Sequence, residues 1–264
     1  MTITIYCAPH NAEAFTLTLH QLFQNSDIVF LERASTSGEE IDQAVEERLR
    51  LVAMGEITPD GIMRFLNPNQ QSGPEIEYTL GLMKLIYRSR KDVHLEYSPL
   101  SGLETQELLS FSSQKMPKDS LEAFLQWYEA RERTNATKWK MRDLNIARQL
   151  SDLSINNYNS MILAIYGDLH YRALQRFLAD NGIDNIRPIR LFAETHATLL
   201  VSKLELEEEI TRRELMLAFL DGVVLAKRSD SEETIKAANV KLSKMPDQHL
   251  EAKIQTWLAR FRSC

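Results

Sequence analysis

Cysteine and glycine are both scarce in this sequence. Its 264 residues include two cysteines, Cys7 and Cys264, and nine glycines. Two cysteines are too few for a disulfide framework or for a metal cluster built on cysteine. A sandwich or barrel of many short strands needs many tight turns, so this low glycine content favours a helix-rich architecture.

A basic surface and a long apolar run are also missing. The net charge is −6, so the chain lacks the basic balance typical of proteins that bind nucleic acid. The longest apolar stretch, 215–226, contains Asp221 and is too short to span a bilayer. No basic and then apolar leader opens the chain, so no secretory signal is visible. We therefore expect a soluble cytoplasmic protein with no nucleic-acid or membrane partner.

Several common sequence motifs are absent as well. The chain has no Gly-x-x-x-x-Gly-Lys-Ser/Thr loop, no Gly-x-Gly-x-x-Gly, no Gly-x-Ser-x-Gly and no His-Glu-x-x-His. These absences argue against nucleotide hydrolysis by a P-loop, against dinucleotide redox chemistry and against a serine-elbow esterase.

Four short apolar runs each end in a polar residue of catalytic or metal-binding type. The runs and their final polar residues are 3–10 with His10, 28–32 with Glu32, 93–96 with Glu96, and 161–170 with His170. Helical patterns separate the runs, which predicts parallel strands of one sheet and an α/β fold. Ligands bind outside the carboxyl ends of the strands in such a sheet. We therefore expect these four side chains to gather along one edge.

The predicted architecture is a central, mainly parallel sheet flanked by helices. We predict an α/β core domain over 1–200 that contains a helical insertion at about 101–151. Residues 201–264 are predicted to form a helical C-terminal extension packed on the core. The segment 55–74 is rich in Pro, Gly and Asn and has no apolar periodicity, which is typical of a mobile lid.

The histidines and glutamates at the strand ends have ordinary explanations as well as functional ones. Neutral imidazole where a strand turns into a helix can ligate a metal or act as a general base, although a solvated loop histidine is the alternative. Glu32 ends a very apolar strand, and the alternative for it is a salt bridge to Arg33 or to a neighbouring loop. Glu96 is a weaker candidate, because turn residues follow it directly.

A charged pair within a predicted helix is the least expected feature. Asp143 lies inside the apolar stripe of this helix, and Arg142 lies at the margin of the stripe. Burying a charge is costly unless the charge is paired or serves a site. One interpretation is an internal Arg–Asp ion pair. The other is that Arg142 orients a carboxylate or stabilises an oxyanion through its forked donors.

Four elements in series resemble a known superfamily. They are the strand leading to Cys7-Ala8-Pro9-His10, the strand ending at Glu32, the helix with Arg142 followed by Asp143, and the strand leading to Gly167-Asp168-Leu169-His170. In order and spacing they resemble the superfamily of TraB/PrgY-type proteins and Tiki metalloproteases. Erythromycin esterases and ChaN-like haem-binding proteins are more distant relatives. The resemblance covers about 1–192, and Cys7 stands where the family motif has Gly.

This resemblance implies a site made of His10, Glu32, Arg142 and His170. On a first interpretation the protein is a hydrolase of peptides or esters. His10, Glu32 and His170 would then hold a divalent ion, Zn²⁺ or Mn²⁺, or activate a water directly. Glu96 would be a second base or ligand, and Arg142 would stabilise the developing negative charge.

A second interpretation is a protein that binds a ligand, a metal or haem on the same scaffold and has no catalytic activity. The cysteine in place of the family glycine at Cys7 favours this interpretation. In both cases the expected partner is a small molecule or a peptide. The sequence leaves both interpretations open.

Overall fold

Five parallel strands form one sheet in the order β3-β2-β4-β1-β5. The computed structural model describes residues 2–8, 12–32, 39–66, 73–96, 116–191, 193–225 and 232–262. In chain order the strands are β1 Thr2–Cys7, β2 Ile28–Leu31, β3 Asp92–Leu95, β4 Met161–Tyr166 and β5 Ile186–Arg190. The predicted α/β class with a parallel sheet is confirmed.

Ten α-helices lie among the described residues. They are α1 Leu17–Asn25, α2 Glu39–Met54, α3 Pro59–Leu66, α4 Pro74–Ser89, α5 Leu121–Asn156, α6 Tyr171–Asp180, α7 His196–Glu205, α8 Arg212–Leu225, α9 Glu232–Ser243 and α10 Asp247–Arg262. Two short 3₁₀ turns, Ala12–Ala14 and Asp168–His170, follow β1 and β4. None of the described helices combines the length and apolar character needed to cross a membrane.

The strands are apolar because helices cover the sheet. Strands β1, β2 and β4 are buried along almost their whole length, as expected for a parallel sheet packed on both faces. On one face, alternate strand residues such as Val29, Leu31 and Leu163 share a core cluster with residues of α1, α2 and α4. On the other face the rings of Phe30 and Tyr166 stack at 6.3 Å.

The chain divides into two compact units. Unit 1 consists of Met1–Pro99 and Asp143–Leu191, and it contains the whole sheet. Unit 2 consists of Leu100–Arg142 and Phe192–Cys264, and its described part is helical. An aromatic cluster lies in the core of unit 2, where Phe219 contacts Phe124 at 4.8 Å and Trp257 at 5.0 Å between ring centres. These boundaries differ from the ranges 1–200 and 201–264 suggested by the sequence.

The predicted lid segment is partly helical. Residues 59–66 form α3, so the expectation of irregular structure over 55–74 is wrong there. Pro59 suits the first turn of a helix because it has no N–H to satisfy, and the Thr58 hydroxyl accepts a hydrogen bond from the Gly61 N–H at 3.2 Å. Ile62 is buried and anchors the helix to the core of unit 1. Residues 67–72 lie outside the described residues.

Candidate functional site

The carboxyl ends of the strands place a row of functional side chains along one edge of unit 1. Cys7 on β1 is in register with Tyr166 on β4 and with Arg190 on β5. Glu32 and Glu96 continue the ladder beyond β2 and β3, because their N–H groups donate to the carbonyls of Ile165 and Leu31. Residues in register on parallel strands project from the same face of the sheet. Glu96, Glu32, Tyr166, Cys7 and Arg190 therefore form one row across the edge.

His170 lies at the centre of this edge, bonded on both sides. It ends the 3₁₀ turn that follows β4, and only 2% of its surface is exposed. Its Nδ1 lies 2.5 Å from Oδ1 of Asp143, and its Nε2 lies 3.2 Å from Oε1 of Glu32. A carboxylate only accepts hydrogen bonds, so both ring nitrogens act as donors when both acids are ionised. The geometry thus describes an imidazolium held between two carboxylates.

The electrostatics of the pocket agree with this assignment. Burial by itself lowers the pKa of His170, because the charged form loses its hydration. The opposing attraction and hydrogen bonds of Asp143 and Glu32 are larger in sum and raise the pKa to about 10. This raised pKa favours the cationic form of His170 at neutral pH.

Glu32 is the member of this triad that reaches the surface. Its side chain is 12% exposed, whereas that of Asp143 is fully buried. Oε2 of Glu32 accepts a hydrogen bond from the Gly167 N–H at 2.6 Å, while Oε1 faces His170. These two donors fix the carboxylate in orientation.

The hydrogen bond to His170 explains why a charged residue, Asp143, lies in the apolar stripe of α5. Its carboxylate orients His170, so a group of the predicted site compensates the buried charge. The Cζ atom of Arg142 lies 5.6 Å from the centre of the Trp139 ring on the same helix. The proposed role of Arg142 at an oxyanion stays a prediction.

The remaining predicted site residues have different outcomes. Glu96 is 1% exposed and occupies the end of β3 beside Glu32, as expected for a strand-end acid. Its role as a second base or ligand stays a prediction. His10 lies outside the described residues, so its convergence with Glu32 and His170 also stays a prediction.

Two further residues near the triad were missed by the sequence reasoning. Arg190 forms a two-pronged ion pair with Asp168, with distances of 2.6 Å and 2.7 Å, at the start of the turn that carries His170. Tyr78 on α4 is buried, and burial followed by the nearby Glu32 charge raises its pKa, so its hydroxyl stays protonated. Arg190 could have been found from the sequence, because it is an arginine at the end of a strand. Tyr78 lies on the buried face of α4, where the sequence pattern indicates only a core residue.

Cys7 contributes no thiolate to this edge. The side chain is fully buried, and its pKa is raised well above the ordinary value by burial and then by the negative charges of Asp168 and Glu32. A protonated, buried thiol is a poor nucleophile and a poor metal ligand. The residue acts here as a small apolar side chain beneath the acids.

The described residues do not complete a metal centre. At this edge two of the predicted ligands, the His170 imidazole and the Glu32 carboxylate, face each other. Within the described part of the chain no group of three His, Cys, Asp or Glu residues is arranged to hold a metal ion. The expected Zn²⁺ or Mn²⁺ site depends on His10 and stays a prediction.

Comparison with models of known protein families, with curated proteins and with solved structures finds no match to this chain. The resemblance to the TraB/PrgY and Tiki superfamily therefore stays a prediction, and the case for a function depends on the geometry of the site.

Proposed function

We propose that this protein is a hydrolase that cleaves a peptide or ester bond with Glu32 as its general base. The observation that carries the proposal is the Asp143–His170–Glu32 triad at the carboxyl edge of the sheet. Its two inner members are buried, and the outer carboxylate is partly exposed. Buried groups that orient a more exposed group are typical of catalytic sites, where the exposed group contacts the substrate.

Each member of the triad has a definite task in this proposal. Glu32 accepts a proton from the attacking water and delivers it to the leaving alkoxide or amine, so it ends each cycle ionised. His170 keeps its proton throughout, since its pKa is about 10. Its fixed positive charge keeps Glu32 ionised and oriented and offsets the negative charge that develops on the substrate oxygen. Asp143 holds the imidazolium in place.

This proposal does not depend on a metal ion. The protein should nevertheless be analysed for bound Zn and Mn after purification, because the predicted ligand His10 lies outside the described residues. Stoichiometric metal that resists dialysis would support the role of metal ligands that the sequence predicts for Glu32 and His170.

The direct test replaces Glu32 by its uncharged isostere. Hydrolysis of p-nitrophenyl acetate and of a fluorogenic peptide library is measured for the wild type and for Glu32→Gln. We expect Glu32→Gln to lower kcat/KM by about 10²–10⁴-fold, the usual contribution of a general base. Glu47→Gln on α2 is the matched control, because Glu47 is an exposed glutamate of the same unit. Equal rates for wild type and Glu32→Gln would contradict the proposal.

A binding protein without catalytic activity is the second candidate, and one observation favours it. Both oxygens of Glu32 and both ring nitrogens of His170 already have partners within the protein, as in a purely structural polar core. If so, the wild type hydrolyses neither substrate class, and Glu32→Gln changes only stability. The comparison of the wild type with Glu32→Gln therefore distinguishes the two candidate functions.

A further inference from the structure

A groove lies in unit 1 at the edge of the sheet opposite the triad. It surrounds the amino end of β3, where α2 and α4 also end, and it has a volume of about 650 Å³. That volume falls within the range of small-molecule sites. The side chains lining this amino-edge groove include Arg50, Ala53, Met54, Arg90, Lys91 and Asp92.

The charge of the groove is positive although the chain as a whole is acidic. Among the described residues, the cations Arg50, Arg90 and Lys91 and the acid Asp92 line the groove. Because Arg50 is paired with Glu46, Arg90 and Lys91 leave an excess of one positive charge over Asp92. Lys91 Nζ donates to the Gln24 carbonyl at 3.1 Å, and Arg50 pairs with Glu46 at 2.8 Å. These contacts leave further N–H donors on each side chain. Met54, which is 64% exposed, adds apolar surface at the rim.

Arg90 adopts a backbone conformation that glycine usually supplies. It caps the carboxyl end of α4 with φ 57° and ψ 36°, and its N–H donates to the Ile86 carbonyl. Helices commonly end in this left-handed conformation, and glycine adopts it without strain. An arginine here therefore accepts backbone strain, which calls for a reason in its side chain.

The guanidinium of Arg90 is held in a recess made by a second special backbone position. Gly55 follows α2 with φ 82°, and a Cβ atom on it would lie only 1.7 Å from Nη1 of Arg90. The guanidinium also lies over the Tyr87 ring, 4.4 Å from its centre, and Nη1 is 3.5 Å from the Ala53 carbonyl. These contacts restrict the guanidinium of the exposed Arg90, and such restriction lowers the entropic cost of binding.

We propose that the amino-edge groove binds a small molecule carrying a phosphate dianion. Arg90 and Lys91 offer two cationic side chains to the dianion, and the planar fork of Arg90 matches phosphate oxygens. Ala53 and Met54 offer apolar contact to an organic group on the phosphate. The ligand class is therefore a phosphate monoester with an apolar substituent.

Titration calorimetry of the full chain with phenyl phosphate, at pH 8 and constant ionic strength, tests this proposal. Inorganic phosphate and malonate are titrated in parallel as a dianion without an organic group and as a dicarboxylate. We expect saturable 1:1 binding of phenyl phosphate, weaker binding of inorganic phosphate, and the weakest binding of malonate. Absence of saturable binding of phenyl phosphate overturns the proposal, and so does tighter binding of malonate.

Arg90→Gly is an unusually clean variant for this test, because it removes the charge and places the preferred residue in the left-handed cap. We expect its thermal midpoint without ligand to equal or exceed that of the wild type, and its affinity for phenyl phosphate to fall at least tenfold. The matched control is Arg176→Gln, which removes one exposed arginine of the same unit far along the chain on α6. Unchanged affinity in Arg90→Gly, or an equal loss in Arg176→Gln, contradicts the assignment.

Discussion

At the scale of single residues, the protonation of His170 is the property that most directly tests the triad. Its folded pKa of about 10 lies above the ordinary value of 6.5. A raised pKa stabilises the folded state fully below pH 6.5, and this contribution is lost as the pH rises through about 10. We expect the thermal midpoint of the wild type to fall across that window and that of His170→Gln to fall less. An NMR titration of the His170 ring near 6.5 would contradict the geometry.

The buried acid behind His170 gives a second test at the same scale. Asp143→Ala leaves an imidazolium with one partner fewer in a dry environment, which should cost about 3–5 kcal/mol of unfolding free energy. It should also lower the pKa of His170, because the nearest negative charge is gone. Asp152→Ala is the control, since Asp152 is an exposed aspartate on the same helix. Similar unfolding free energies for the two variants would show that Asp143 is not the essential partner.

Sequence reasoning recovered these residues unequally, for a physical reason. Glu32 and His170 end apolar strands, and a strand end in a parallel sheet has a predictable location. Asp143 was identifiable only as a charge that needed a partner, because a helical stripe shows that a residue is buried and not what it faces. Its partner follows it by 27 positions in the chain. Only the packing of α5 in unit 1 makes that contact.

At the scale of elements, two glycines with nearly the same backbone conformation allow the energetic cost of backbone strain to be measured apart from the cost of a steric clash. Gly55 has φ 82° and Gly182 has φ 79°. A Cβ atom added to Gly55 would have heavy atoms within 4 Å, whereas one added to Gly182 would have none. Gly182→Ala should therefore cost about 1–2 kcal/mol for the left-handed conformation and nothing more. Gly55→Ala should cost more, because the new methyl group displaces the guanidinium of Arg90.

A double variant isolates the steric part of this difference. The double variant carries Gly55→Ala and Arg90→Gly, so the obstructing side chain is gone. Its unfolding free energy is compared with that of Arg90→Gly alone, and the difference should be as small as the cost of Gly182→Ala in the wild type. Urea unfolding of these variants and the wild type measures both differences. Equal costs for Gly55→Ala and Gly182→Ala in the wild-type background would show that the guanidinium moves aside freely, and that Arg90 is not held as we infer.

Among the elements, strands and long helices were the most predictable. The predicted run 161–170 contains β4, and the helical segment predicted at about 101–151 includes most of α5. Helix α3 was missed because Pro59 and Gly61 are typical of loops, although a proline in the first turn and a threonine before it also begin a helix. Eight residues give too few turns for apolar periodicity to outweigh those signals.

At the scale of the whole molecule, the sequence identified the sheet and the helical regions but grouped the helices differently. Residues 100–142 share a unit with 192–264, whereas the sequence suggested a helical insertion within the core domain and a helical extension packed on that core. A helix pattern gives the direction of the buried face and leaves its partner undetermined. Helix α5, with 36 residues, belongs to unit 2 at its beginning and to unit 1 at its end.

Among the described residues each unit has a core cluster of its own, and this leads to a prediction about unfolding. The sheet core contains Leu163, the helical core contains Leu250, and the two core clusters share no residue. All three tryptophans, Trp127, Trp139 and Trp257, belong to unit 2. Tryptophan fluorescence therefore follows the unfolding of unit 2, and hydrogen exchange of the strand amides follows that of unit 1.

Matched core truncations in the two units test their independence. Leu163→Ala and Leu250→Ala each remove the same buried side chain, at an expected cost of about 2–5 kcal/mol. We expect Leu163→Ala to accelerate exchange of the strand amides and to leave the fluorescence midpoint in urea nearly unchanged. Leu250→Ala should lower the fluorescence midpoint and leave exchange in the strands nearly unchanged. If each truncation shifts both signals equally, then α5 couples the cores into one cooperative unit, and the triad in unit 1 depends on the stability of the whole chain.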